Sequence, residues 1–316
     1  MPQEGNSLVC DTLAASVAAV GAVTFTNPIE VVKTRMALQG ELVKSKNLKA
    51  KSYTNPVQAL ISIGKNEGLK GVQKGLVVAY PYQILLNCCR LGYYEPTRQF
   101  LNNFFHPNED PRIYQNMYIN VFTGSMTGAL GAAVSSPLYL VKTRMQSYAS
   151  HSSKTAVGQQ THYTNFVQGL QQIYKTEGGI NGLFRGCDTA MIRTAAGSAI
   201  QLPLYNYCKG IIKTNFGYSD DDTRLHLISS TITGFGVGFA INPFDVILTR
   251  VYNQRGNLYS GPVDCLMKTV KTEGPRALFK GLGASLMRFA PHSILTLTFM
   301  EMASIWIYGA RDTYFR

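Results

Sequence analysis

The stretch Asn27-Pro28-Ile29-Glu30-Val31-Val32-Lys33-Thr34-Arg35 occurs three times in this chain in related form. The other two copies are Ser136-Pro137-Leu138-Tyr139-Leu140-Val141-Lys142-Thr143-Arg144 and Asn242-Pro243-Phe244-Asp245-Val246-Ile247-Leu248-Thr249-Arg250. In each copy a proline near the end of an apolar segment is followed by the same spacing of polar and charged positions. The prolines lie 109 (137 − 28) and 106 (243 − 137) residues apart. This period predicts one structural unit repeated three times, so each unit supplies about a third of one object.

A second motif follows each copy of the first and supports the same period. An acidic residue followed by glycine precedes a basic residue followed by glycine. The acidic pairs are Glu67-Gly68, Glu177-Gly178 and Glu273-Gly274, and the basic pairs are Lys74-Gly75, Arg185-Gly186 and Lys280-Gly281. Two independent motifs, in the same order three times, predict repeats over about 8–105, 117–215 and 225–312 within a single domain covering 1–316.

The composition indicates a membrane protein. Charged residues make up only 15% of the 316 residues, against about 25% in a typical soluble protein. The mean hydropathy is only −0.02, which suits helices that face lipid on one side and polar groups on the other. About 20 apolar residues cross the hydrocarbon, so longer spans are expected to tilt or kink. Six segments are long enough: 8–36, 75–104, 117–146, 186–213, 225–252 and 281–308. Three shorter amphipathic stretches, 55–66, 165–176 and 262–273, are predicted as surface helices.

The distribution of charge predicts how the chain is oriented. The net charge is +12, and most basic residues outside the spans fall in the loops that follow the first, third and fifth spans. By the positive-inside rule these loops face the inner compartment, which puts both termini on the outer side. The bases flank apolar spans and do not form one stripe, which argues against nucleic-acid binding. The six cysteines show no metal-ligand spacing, so no cofactor or metal is expected. The segment 1–7 has no basic residue, and it predicts neither a signal nor a transit peptide.

These motifs resemble those of the mitochondrial carrier family. The family pattern is P-x-[DE]-x-x-[KR]-x-[KR], followed by [DE]-G and then by an aromatic-[KR]-G. Related copies of it occur three times, and the resemblance extends over nearly the whole chain. The resemblance implies an all-α bundle of six transmembrane helices with threefold pseudo-symmetry, in the mitochondrial inner membrane. It also implies a central cavity with alternating access from two sides. Within the family, the chain looks most like the fungal oxaloacetate carriers, on stretches such as Arg90-Leu91-Gly92-Tyr93-Tyr94-Glu95-Pro96 and Arg288-Phe289-Ala290-Pro291-His292.

The resemblance assigns the charges after the prolines to a gate on the matrix side. In the family, the acid of one repeat pairs with the base of the next and closes the cavity. Carried over residue by residue, this pattern pairs Glu30 with Lys142 and Asp245 with Lys33. We therefore expect two ionic links in this matrix gate.

The third link of the matrix gate is missing from the sequence. Tyr139 stands at the position of the acid and Leu248 at the position of the base. In the family a polar brace often lies nine residues after the proline. Gln146 is the expected brace here, Tyr252 is a second candidate, and Ala37 has no polar group to serve. Exposed pairs are worth about 0.2–1 kcal/mol each, so a gate of modest strength is expected.

A second gate is implied on the cytoplasmic side by the pattern [FY]-[DE]-x-x-[KR]. It is complete in the first repeat, where it contains Glu95 and Arg98. The second repeat keeps the base Lys209 and the third keeps the acid Glu301. The Lys209–Glu301 pair is the one complete link between neighbouring repeats, so we expect a weak cytoplasmic gate.

The same register locates the substrate site. Arginines occur at positions that the family uses for substrate contacts, and no acid lies near them in sequence. An arginine near the bilayer centre costs roughly 2.5–3.5 kcal/mol on insertion scales, while guanidinium groups bind carboxylate or sulfate through two parallel hydrogen bonds. The predicted substrate-binding residues are Arg90, Arg193, Arg288, Tyr82, Gln83 and Thr194. A proton-coupling role for His292, one turn after Arg288, stays open.

The sequence thus predicts a transporter of small dianions, and no enzymatic activity. Oxaloacetate and related dicarboxylates are the expected substrates, with sulfate a further candidate. The expected partners are the substrate and membrane lipid, with cardiolipin on the matrix side, and the protein is expected to be a monomer. A carrier for nucleotides or another dicarboxylate, and a proton-leak protein of the uncoupling type, stay open as alternatives. The choice between exchange and proton symport is also open.

Overall fold

A computed structural model describes residues 4–42, 53–112, 114, 116–149, 157–216, 222–256 and 258–308. In these residues the regular structure is entirely helical. The helices are α1 Glu4–Leu38, α2 Pro56–Val72, α3 Leu76–Gly92, α4 Tyr94–Phe105, α5 Met117–Ser147, α6 Phe166–Thr176, α7 Ile180–Leu183, α8 Cys187–Phe216, α9 Thr223–Asn253, α10 Pro262–Glu273 and α11 Leu282–Tyr308. A short 3₁₀ helix covers Pro275–Phe279.

The long helices form a closed ring. Helix α1 packs against α3, α3 against α5, α5 against α8, α8 against α9, and α9 against α11, and α11 packs back against α1. Six long helices therefore surround a common centre, and each repeat contributes two. Among the described residues, Cys10–Leu38 and Ile228–Asn253 are long and apolar enough to cross a membrane, each with an 18-residue window of mean hydropathy at or above 1.2.

Five of the six predicted spans match single helices to within four residues at each end. The exception is 75–104, which the structure divides into α3 and α4 at Tyr93. Pro96 explains the division, because proline has no N–H to bond the carbonyl of Gly92 and its ring crowds that carbonyl. Each of the three predicted surface stretches is also helical, as α2, α6 and α10.

Three glycines bring each repeat against the next one. Gly75, Gly186 and Gly281 each begin the second long helix of their repeat with a positive φ, of 75°, 79° and 81°. A Cβ on Gly186 would lie 2.8 Å from Cγ1 of Val251, and one on Gly281 would lie 3.1 Å from the Lys33 carbonyl oxygen. Both the backbone conformation and the close approach therefore require glycine.

Candidate functional site

A cavity of about 500 Å³ lies at the centre of the ring. The structure brings to its wall all six residues that the sequence assigned to the substrate: Tyr82, Gln83, Arg90, Arg193, Thr194 and Arg288. Asn87, His292 and Thr296, which the sequence analysis did not assign to the substrate, also line the cavity. The Nδ1 atom of His292 lies 3.4 Å from the Thr26 hydroxyl.

Two interhelical ion pairs lie at the proline end of the cavity. Lys142 of α5 donates to Glu30 Oε1 of α1 at 2.7 Å, and Lys33 of α1 donates to Asp245 Oδ2 of α9 at 2.6 Å. Each pair joins neighbouring repeats, with the partners drawn from the family pattern. Their function as a gate stays a prediction.

Gln146 bridges α5 and α1 beside these ion pairs. Its Nε2 donates to Asn27 Oδ1 at 3.1 Å, and its Oε1 accepts from the Thr34 hydroxyl at 3.0 Å. None of its described hydrogen bonds goes to a charged member of the gate. The Gln146 side chain therefore connects α1 and α5 next to the ion pairs and does not extend those pairs.

A cluster of three tilted tyrosine rings occupies the place of the missing third ion pair. The Tyr139 ring lies 5.0 Å from the ring of Tyr82 and 5.3 Å from that of Tyr252, centroid to centroid. The Lys142 ammonium lies 5.2 Å from the Tyr82 centroid and 5.6 Å from that of Tyr139. Leu248 packs in the same apolar cluster. The three rings come from different repeats, so tilted ring–ring contacts and cation–π contacts connect all three repeats where the third ion pair is absent.

Two of the three cavity arginines lie against acids of the predicted gate. Arg193 Nε donates to Asp245 Oδ1 at 2.8 Å, and Arg288 Nη1 lies 3.7 Å from Glu30 Oε2. The absence of acids near these arginines in sequence was therefore misleading, because the acids come from other repeats. Within the described residues, Arg90 forms no hydrogen bond or ion pair.

A second set of ion pairs was missed in the sequence, although its residues defined the repeats. We call these the buried triads: Arg35-Glu67-Lys74, Arg144-Glu177-Arg185 and Arg250-Glu273-Lys280. Each arginine also donates to a backbone carbonyl in the first long helix of the next repeat. For Arg144 this is the Tyr252 carbonyl, at 3.0 Å. These contacts satisfy carbonyls at a helix end that the helix itself leaves free. In every repeat the arginine follows the proline at the same spacing, and the acid directly precedes a glycine. This regularity is the signal that could have revealed the triads.

The triad carboxylates are held in their charged form. Burial raises the pKa of Glu273, but hydrogen bonds from Arg250 and Lys280 oppose this and bring the pKa below its ordinary value. The same balance lowers the pKa of Glu67 and of Glu177. Each triad is therefore ionised at neutral pH.

In the part of the chain that the structure describes, the Lys209–Glu301 pair predicted for the cytoplasmic gate is not formed. Arg98 pairs with Glu95 at 2.8 Å within α4, and donates to the Arg112 carbonyl at 3.0 Å. Among the described residues Glu301 has no ion pair, so the expected Lys209–Glu301 link is absent from this conformation.

A closed ring of membrane helices, with a cationic central cavity and ion pairs across one end of it, defines a membrane solute carrier. The family model for "Mitochondrial carrier protein" matches residues 4–105, 114–216 and 219–310. The chain belongs to the mitochondrial carrier family, and so to transporters of the mitochondrial inner membrane.

Several relatives are similar over almost the whole chain. A mitochondrial oxaloacetate transport protein of Saccharomyces cerevisiae is 53% identical over 94% of this chain and 89% of its own. The protein of the same name from Schizosaccharomyces pombe is 46% identical, over 92% and 89%. Mitochondrial citrate transporter E of Aspergillus niger is also 46% identical, over 92% and 91%.

Proposed function

We propose that this protein carries small dianions, chiefly oxaloacetate and related dicarboxylates, across the mitochondrial inner membrane by alternating access. Sulfate is a further candidate substrate. Two of the three relatives named above are oxaloacetate transport proteins. The proposal assigns substrate binding to the cavity and opening and closing to its two ends.

The observation that carries this proposal is the excess of positive charge in the cavity. Among the residues that the structure describes, five cationic side chains and two acids line it. The cations are Lys33, Arg90, Lys142, Arg193 and Arg288, and the acids are Glu30 and Asp245. Placing uncompensated cations at membrane depth is costly, and a bound anion with two or three charges would offset that cost.

The individual roles follow from the chemistry of the side chains. The three arginines bind the acid groups of the substrate, because each guanidinium offers paired N–H donors. Tyr82, Gln83 and Thr194 hydrogen-bond to its remaining oxygen atoms. The Thr194 hydroxyl donates to the Ala190 carbonyl at 2.8 Å. It must leave that carbonyl to donate to an oxygen of oxaloacetate, whereas it can accept from the hydroxyl of malate without moving.

The gates complete the cycle. Glu30, Lys33, Lys142 and Asp245 close the matrix side, with Gln146 beside them. Glu95, Arg98, Lys209 and Glu301 act at the cytoplasmic side after the helices rearrange. An even number of spans puts both termini on one side, and the basic loops favour the intermembrane space for them. We further propose a monomer, since one chain encloses the cavity, with cardiolipin bound near the basic matrix loops.

A second candidate substrate is citrate. The cavity's excess of three positive charges suits a tricarboxylate, and one relative is a citrate transporter. Parallel uptake of labelled oxaloacetate, malate, sulfate, citrate and ADP into proteoliposomes tests these proposals. Oxaloacetate and malate uptake well above protein-free liposomes supports the first proposal. Uptake of ADP alone, or proton flux without any of these anions, would overturn it.

A further inference from the structure

We propose that the gate acids Asp245 and Glu30 are the resting counter-ions of Arg193 and Arg288, and that the two acid groups of the substrate displace them. This inference rests on the proposed binding of a dianion in the cavity. It makes the two acids determinants of specificity as well as gate residues, and it connects substrate binding to the gate through shared carboxylates.

Asp245 divides its two oxygens between two cations. Oδ2 accepts from Lys33 at 2.6 Å, and Oδ1 accepts from Arg193 Nε at 2.8 Å. Asp245 is buried, while about a third of the Arg193 side chain, 34%, faces open space. Among the described residues Nε is the only Arg193 nitrogen with a partner, so the two terminal nitrogens are available to an arriving anion.

Glu30 is divided in the same way but holds its arginine more loosely. Oε1 accepts from Lys142 at 2.7 Å. Oε2 is buried, has no hydrogen bond, and lies 3.7 Å from Arg288 Nη1. A separation of 3.7 Å is too long for a hydrogen bond. Arg288 is therefore the easier of the two arginines to take from its acid.

Exchange of one carboxylate for another explains a preference for dianions. A substrate with two acid groups can replace both protein carboxylates: it keeps a charge-assisted hydrogen bond on Arg193 and gives Arg288 one that Glu30 does not provide. A monoanion can serve only one arginine. Arg90, without a partner among the described residues, lies eight residues beyond Tyr82 on α3, or about 12 Å along the helix. It is placed to attract the substrate before the exchange occurs.

The exchange also weakens the matrix gate. Once Arg193 has turned to the substrate, Asp245 keeps only Lys33, and Glu30 likewise keeps only Lys142. Each interhelical link then has one cation where it had two. Substrate binding in the cavity thus lowers the free-energy cost of separating α1 from α5 and from α9, which the alternating movement requires.

The test compares Lys33→Met with the double variant Lys33→Met/Asp245→Asn. Both lack the ionic link between α1 and α9, but only the double variant frees Arg193, and its net charge equals that of the wild type. Calorimetric titration of the purified protein with oxaloacetate and with malate gives the Kd. Because a hydrogen bond to a charged group is worth about 1.5–3 kcal/mol, we expect the double variant to bind at least about tenfold more tightly than Lys33→Met. Equal Kd values would overturn the inference.

The second acid provides an independent comparison if the first double variant fails to fold. Lys142→Met/Glu30→Gln is set against Lys142→Met, and a smaller gain is expected because Arg288 is not hydrogen-bonded to Glu30. Equal Kd values there overturn the inference too. If the wild type binds neither oxaloacetate nor malate, the proposed function fails and this inference with it. If the wild type binds them and the paired variants do not differ, the inference alone fails.

Discussion

Removing the ring of Tyr139 tests whether aromatic contacts replace the third ion pair. The substitution Tyr139→Ala deletes the tilted contacts of this ring with Tyr82 and Tyr252, and its cation–π contact with Lys142. Aromatic pairs in favourable geometry are worth about 0.5–1.5 kcal/mol each beyond their buried area. A cation–π contact adds about 0.5–2 kcal/mol, depending on desolvation. We expect Tyr139→Ala to cost about 3 kcal/mol of stability.

Thermal unfolding of the purified protein measures this cost. At roughly 2 °C per kcal/mol, Tyr139→Ala should lower Tm by about 6 °C. Tyr139→Phe is the matched control, because the Tyr139 hydroxyl forms no hydrogen bond within the described residues and the ring is kept. Its Tm should stay within about 1 °C of the wild type. Equal losses in the two variants would show that the hydroxyl matters and the ring contacts do not, and would refute the reasoning.

Three further predictions concern the matrix end. Glu273→Gln leaves the Arg250 guanidinium buried without its carboxylate and should cost about 3–5 kcal/mol in the free energy of unfolding. Asp264→Asn removes one member of a partly exposed ion pair within α10, with Lys268, and should cost much less; equal effects would contradict the assigned role of the triads. The three triad glutamates have pKa values below their ordinary value. Their ion pairs therefore stabilise the fold fully above about pH 4.3, and this stabilisation is lost as the pH falls further. A Tm that stays constant between about pH 5 and about pH 3 would contradict this prediction. Gly186→Ala should lower Tm by several degrees, since φ is 79° and Val251 is 2.8 Å from the new Cβ, while Gly210→Ala, with open space around it, should not.

The architecture was predictable because the chain repeats itself. Three prolines in register located the first long helix of each repeat, and the register of the basic-Gly pairs located the second. The break at Tyr93 was missed because the length and apolarity of 75–104 outweighed the effect of Pro96. Pro96, which lies within a polar stretch, is the local signal for this break.

The site was only partly predictable, because sequence proximity does not show which repeats meet. The cavity positions of the arginines followed from a register within each repeat. The contact of Arg193 with Asp245 joins residues 52 apart, from different repeats, and no local pattern indicates it. Likewise, the sequence shows a tyrosine at position 139 where the family pattern has an acid, but the ring contacts in its place depend on side chains from all three repeats.

Uptake of labelled oxaloacetate into proteoliposomes by Arg193→Ala is the most direct test of a dianion site in the cavity. Arg276→Ala is the matched control, because this arginine is exposed on the 3₁₀ helix outside the cavity. The account predicts that Arg193→Ala inserts normally but loses uptake, while Arg276→Ala transports at the wild-type rate. Uptake by Arg193→Ala at the wild-type rate would contradict it.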